Sequence, residues 1–105
     1  MVNNDGLCVY KSMCAEAEGL SIYISYPSRE DDYFWSCKVY VSKYLSEPKK
    51  IYGYSRCQSV LLARDFILNL VLGEDGASQP HEINICKDLK KAVSRFIEQN
   101  EYSEE

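Results

Sequence analysis

The sequence predicts an α+β fold: an antiparallel sheet of about four strands, packed on one side by a capped apolar helix and a C-terminal amphipathic helix. Three observations predict it. Segments 20–26 and 35–41 alternate apolar and polar side chains with the period of two that marks a half-buried strand. Ser55 followed by Gln58 opens an apolar stretch that runs to Leu72, as a capped helix does. Short connections between the strand-like segments favour hairpins, and hence antiparallel pairing.

In chain order, residues 7–17 form a first strand of imperfect alternation, and Gly19 punctuates the connection that follows. Leu20, Ile22, Ile24 and Tyr26 alternate with Ser21, Tyr23 and Ser25 in a second strand. Residues 27–32 are a polar, acidic loop. Trp35, Cys37, Val39 and Val41 alternate with Ser36, Lys38, Tyr40 and Ser42 in a third strand; Ser46-Glu47-Pro48 makes a turn, and 50–54 is a fourth. The inward set is then Ile22, Ile24, Trp35, Cys37, Val39, Val41 and Ile51. By parity the opposite face carries Tyr23, Tyr40, Tyr52 and Tyr54, with Lys38 and several serines among them.

Ser55 is a favourable N-cap, and Gln58 three residues on completes an S-x-x-Q capping box. Gln58, Asp65 and Asn69 gather into one narrow polar stripe on an otherwise apolar helix, so the helix is expected to be covered on most sides. Gly73 ends it where a left-handed cap is wanted, and 74–80 is a loop. Residues 81–85 alternate weakly, as a short strand would. Ile85, Cys86, Leu89, Ala92, Val93, Phe96 and Ile97 also share one helical face, which favours a helix over 88–100, after a short strand or without one.

Composition bounds the rest. A chain of 105 residues with 46% hydrophobic and 27% charged residues is one domain (1–105) with a single core, its tail at 101–105 expected to fray. Residues 1–6 lack the positive region and apolar run of a signal peptide, and the longest apolar run, broken by Asp65 and Asn69, falls short of a membrane span. A cytoplasmic protein is expected. Cys8, Cys14, Cys37, Cys57 and Cys86 are an odd count without a C-x-x-C pair, which suits a reducing compartment. These cysteines with His81 lack metal-ligand spacing, so neither metal nor cofactor is expected. A net charge of −4 argues against nucleic acid as a partner.

Nine tyrosines are many for this length, and tyrosine supplies large amphipathic contact area at interfaces. Tyr23, Tyr40, Tyr52 and Tyr54 are therefore the candidate recognition patch, although tyrosine also suits half-exposed strands through pairing alone. Glu30, Asp31 and Asp32, with Glu74 and Asp75, are acidic loop tips able to meet a basic partner. Cys57, in the first helical turn, with His81 as base is the one conceivable nucleophile; it also projects on the face of Leu61 and Leu68, where a packed cysteine is the plainer account. No G-x-S-x-G, H-E-x-x-H or phosphate-binding loop occurs, and no catalytic residue is assigned. Arg64 lies inside the apolar arc, where its stem snorkels outward or pairs with a carboxylate from the sheet.

Trp35-x-Cys37, followed by Ile51-x-Gly53, Gln58-Ser59 and Ala63, resembles a family of small bacterial proteins of unknown function. In that family a tryptophan strand precedes a glycine strand and a helix opening with glutamine. The similarity spans 35–72, with Tyr54-Ser55-Arg56 standing where a more acidic turn is expected. In size, charge and layout the chain also looks like an immunity protein of bacterial contact-dependent growth inhibition. That resemblance implies a non-catalytic domain that binds and occludes a cognate toxin domain, for instance a basic nuclease. The alternatives are a self-associating structural or chaperone-like subunit, a homodimer, and below it a cysteine-dependent enzyme.

Overall fold

A computed structural model of the chain describes residues 6–11, 20–73 and 80–102, and the side chains of 20–73 and 83–102. Five strands, β1 (Gly6–Lys11), β2 (Ser21–Ser25), β3 (Ser28–Arg29), β4 (Trp35–Val41) and β5 (Lys49–Gly53), precede two helices, α1 (Arg56–Leu72) and α2 (Pro80–Gln99). β1 pairs with β2, β2 and β3 lie in succession along one edge of β4, and β5 lies along its other edge, all antiparallel. β2 and β3 are thus two halves of one broken strand, and the predicted sheet of four strands with two helices is what forms. The part of the first-strand expectation at 12–17, the Gly19 connection and Glu74-Asp75 lie outside the described residues.

Alternation decides which face is covered. Ile22, Ile24, Cys37, Val39 and Val41 are buried in one cluster with residues of both helices, and Ile51 packs against it half-buried; Trp35, expected in the inward set, is half-buried but stands outside that cluster, under the Arg56 guanidinium. α1 packs on β4 and β5; α2 packs on α1 and β1.

The break in the second strand is a β-bulge absent from the sequence expectation, which read 27–32 wholly as loop. Ile24 pairs with Val39 but Ser28 with Ser36, so three residues oppose two. Inside the bulge the Lys38 N–H donates to Ser25 Oγ (2.7 Å), replacing a lost ladder bond beside Pro27, which has no N–H to give. The bulge reverses the parity of everything after it. Glu30 would face the helices in an unbroken strand; here its N–H donates to the Phe34 carbonyl (2.9 Å) and its side chain meets Ser36 of the opposite face.

α1 starts as its sequence predicts, with one difference. Ser55 Oγ accepts from the Gln58 N–H (3.0 Å), but Gln58 Oε1 reaches back to the N–H of Tyr54 (2.5 Å) and not to that of Ser55. Gly53 explains the short connection. A Cβ on it would lie 2.5 Å from Ser59 N and 2.8 Å from Ser59 Cα, so β5 and the first turn of α1 touch backbone to backbone. Ser59 is small and fully buried there, its hydroxyl donating to the Arg56 carbonyl (2.8 Å). Gly73 closes the helix at φ 79°, its N–H donating to the Asn69 carbonyl.

Only Ser59, Val60, Ala63, Ile67 and Val71 of α1 are fully buried. Its other apolar residues flank that stripe half-buried, and Leu62 sits 41% exposed among Gln58, Asp65 and Asn69. Arg64 does snorkel, but its guanidinium turns to the neighbouring Asp65 (2.9 Å), not to a carboxylate of the sheet.

α2 resolves the ambiguity at 81–86 in favour of helix. Pro80 opens it, where a fixed φ and a missing N–H cost nothing, and Ile85, Cys86, Leu89, Val93, Phe96 and Ile97 bury one continuous face. The tail reading changes at its first residues. Glu101 adopts φ 60°, which returns Tyr102 to the core, where it is 7% exposed; 103–105 lie outside the described residues. Tyr102 packs edge-on against Phe96 (6.0 Å), which in turn meets Tyr26 (5.5 Å). The Arg56 guanidinium stands 5.3 Å from the Trp35 ring and 5.4 Å from that of Tyr102, so one cation ties β4, α1 and the C-terminal turn together.

Candidate functional site

The sheet face opposite the helices brings the sequence-selected tyrosines onto one surface but divides them in two. Tyr23 and Tyr40 are directly paired across β2 and β4, half-buried, with ring centroids 6.4 Å apart. Tyr52 (53% exposed) and Tyr54 (71% exposed) lie toward the other end of the face. There Tyr54 stacks on Phe34 (5.4 Å), and Tyr33 stands exposed beside it. The sequence reading passed over Phe34 and Tyr33. Phe34 has the parity of Ser36 and Tyr40, but it falls between the loop read at 27–32 and the strand read from Trp35, so neither pattern claims it.

Between the two halves runs a polar seam. Lys50 Nζ lies 2.8 Å from Glu30 Oε1, and Ser36 Oγ donates to the same oxygen (2.5 Å). Lys50 also stands 5.9 Å from the Tyr52 ring centre. The hydrogen bond from Lys50, then that from Ser36, holds the Glu30 carboxyl below its usual range, and the carboxylate raises the lysine in return. A depressed carboxylate contributes stability above its unfolded-state pKa, and that contribution is lost as pH falls through the lower folded value. Lys50→Met is therefore expected to move the Glu30 titration, followed by carboxyl-carbon NMR, to higher pH. A profile identical in both proteins contradicts the pairing.

The acidic loop is built and not merely solvated. Asp31 Oδ1 accepts from the N–H groups of Tyr33 (2.7 Å) and Phe34 (2.9 Å), forming an Asx turn. Arg29 Nε donates to the Asp31 carbonyl (3.0 Å), and its other end meets Asp32 (3.4 Å). The loop thereby holds Asp31, Asp32 and Tyr33 at the rim next to Phe34 and Tyr54.

Cys37 and Cys57 sit apart from this face. Cys37 is buried, its S–H donating to the Ser59 carbonyl (3.2 Å), and burial pushes its thiol up to about 12. Cys57 is half-buried against the core, and the side chain of its conceivable partner His81 is outside the described set. On α2, away from the sheet, Lys90, Lys91, Ser94, Arg95 and Glu98 line a shallow open groove. Among the described residues, no helix is long and apolar enough to cross a membrane, and no three His, Cys, Asp or Glu side chains converge as metal ligands do.

Comparison with protein-family models, with curated proteins and with solved structures finds no match to this chain.

Proposed function

We propose that this chain is a non-catalytic protein-binding domain whose outer sheet face recognises a basic protein, in the manner of an immunity protein that occludes a cognate toxin domain. The observation that carries the reading is the exposed group of Phe34, Tyr52 and Tyr54 beside a rigid acidic loop. Aromatic anchors supply contact energy at a low entropic cost, and the stacking of Tyr54 on Phe34 orders those two rings before any partner arrives. Asp31 and Asp32 at the rim raise the encounter rate with a cationic surface and reject an anionic one. Occlusion of a basic active groove by this face would need no bond to be made or broken.

The experiment is affinity capture from the native host with the wild-type chain and with Tyr52→Ala/Tyr54→Ala, followed by titration of the recovered protein. One stoichiometric basic protein is expected with the wild type, bound on the order of 100-fold more weakly by the double variant. Equal binding by both proteins sinks the assignment of this face. A cysteine-dependent reaction at Cys57 is the contrary outcome, visible as activity lost in Cys57→Ser.

A further inference from the structure

The free edge of β5 carries a second surface, which shares Tyr52 with the patch assigned above but is tested apart from it at Leu62 of α1. The Lys38 N–H bonds toward β2, so Cys37 and Val39 turn their backbone groups to β5, where Ile51 and Lys49 face them. Backbone groups alternate sides along a strand, which leaves the N–H and C=O of Lys50 and Tyr52 pointing off the sheet. The next N–H in that series, that of Tyr54, is closed by Gln58. Among the described residues no strand pairs with this edge.

An apolar row overhangs it. Ser59 is the residue of α1 that touches β5 at Gly53, and Leu62, Phe66 and Leu70 continue along that flank at helical spacing. Leu62 is 41% exposed and the other two are half-buried.

We propose that the chain forms a two-fold homodimer in which β5 pairs antiparallel with β5 of a second copy, centred on Ile51. In that register each Lys50 lies opposite Tyr52 of the second copy, and their backbone groups satisfy one another. On the outer face each lysine stands over a tyrosine, as Lys50 already does within its own chain. Centring on Lys50 instead sets like charges opposite each other and calls on Pro48, which has no N–H. Centring on Tyr52 calls on the Tyr54 N–H that Gln58 has taken. Edge lysines ordinarily deter pairing, but the charge of Lys50 is matched by Glu30 at 2.8 Å.

The helices fit the same arrangement. α1 rests over both β4 and β5, so with strands about 4.8 Å apart its axis and that of its two-fold mate stand roughly 10 Å apart, a normal helix packing distance. The axes run antiparallel, and the Leu62, Phe66 and Leu70 rows meet between them.

Sedimentation velocity tests the dimer. At about 100 μM the wild type is expected at twice the 12.1 kDa chain mass. Leu62→Glu, at an exposed position, and Tyr52→Pro, which removes an N–H that bonds to nothing in its own sheet, are each expected to raise the dissociation constant ~100-fold with an unchanged far-ultraviolet spectrum. A monomeric wild type, or a dimer that survives Leu62→Glu, overturns the proposal. Should Tyr52→Pro fail to fold, Leu62→Glu alone decides.

Discussion

Gly53→Ala is expected to lower stability by about 3 kcal/mol, the upper end of overpacking costs, and the melting temperature by on the order of 15 °C. The added methyl meets Ser59 N at 2.5 Å, Ser59 Cα at 2.8 Å and the Gln58 carbonyl carbon at 3.0 Å. All three are backbone atoms in the first turn of α1, so no side chain can swing aside to make room. The helix must lift from β5, which opens the contact at Ser59 and weakens the cap formed by Ser55 and Gln58. Ser59→Gly, which removes only a side chain, leaves the close approach in place and does not rescue the variant. A Gly53→Ala protein that melts within about 3 °C of wild type in a thermal scan refutes this account of the contact.

Tyr102→Ala is the second large effect, with an expected loss of about 3 kcal/mol. Tyr102 is 7% exposed and fills the space between Phe96 and the Arg56 guanidinium. Its removal leaves a cavity and loosens the cation held on the face of Trp35. Because Trp35 is the only tryptophan, its emission reports the change directly, with an expected shift to longer wavelength at native conditions. Tyr102→Phe keeps the ring and is expected to stay within about 1 kcal/mol of wild type. Equal stability of Tyr102→Ala and wild type in urea denaturation contradicts the seating of this residue in the core.

How much of this was legible depends on how local each signal is. The strand at 35–41 and the opening of α1 at Ser55 were readable because period-two alternation and a cap are properties of a few neighbouring residues. The start of α2 was less so. Residues 81–85 satisfy both a weak alternation and the helical face of Ile85, Cys86 and Leu89, and only the packing of that face on α1 and β1 separates the two. Tyr102 reads as part of a fraying tail because the four other residues of 101–105 are polar or charged and carry no periodicity. The left-handed turn at Glu101 that returns it to Phe96 leaves no mark in the chain.

For the candidate surface, parity alone placed Tyr23, Tyr40, Tyr52 and Tyr54 on one face. It did not show that Tyr54 stacks on Phe34 while Tyr23 stacks on Tyr40, nor that Glu30 joins that face. The bulge at Ser25–Pro27 decides the position of Glu30, and a bulge depends on how a neighbouring strand takes up the slack, here through the Lys38 N–H and Ser25 Oγ.

By itself the sequence determined the class of the fold, the buried face of β2 and β4, the cap of α1 and the tyrosine content of the opposite face. Each follows from the chemistry of residues close together in the chain. Only the tertiary structure decided the backbone contact of Gly53 with Ser59, the Arg56 bridge between Trp35 and Tyr102, the Glu30–Lys50 pair and the unpaired edge of β5. Those depend on distances between residues far apart in sequence, which packing sets and a local pattern does not encode.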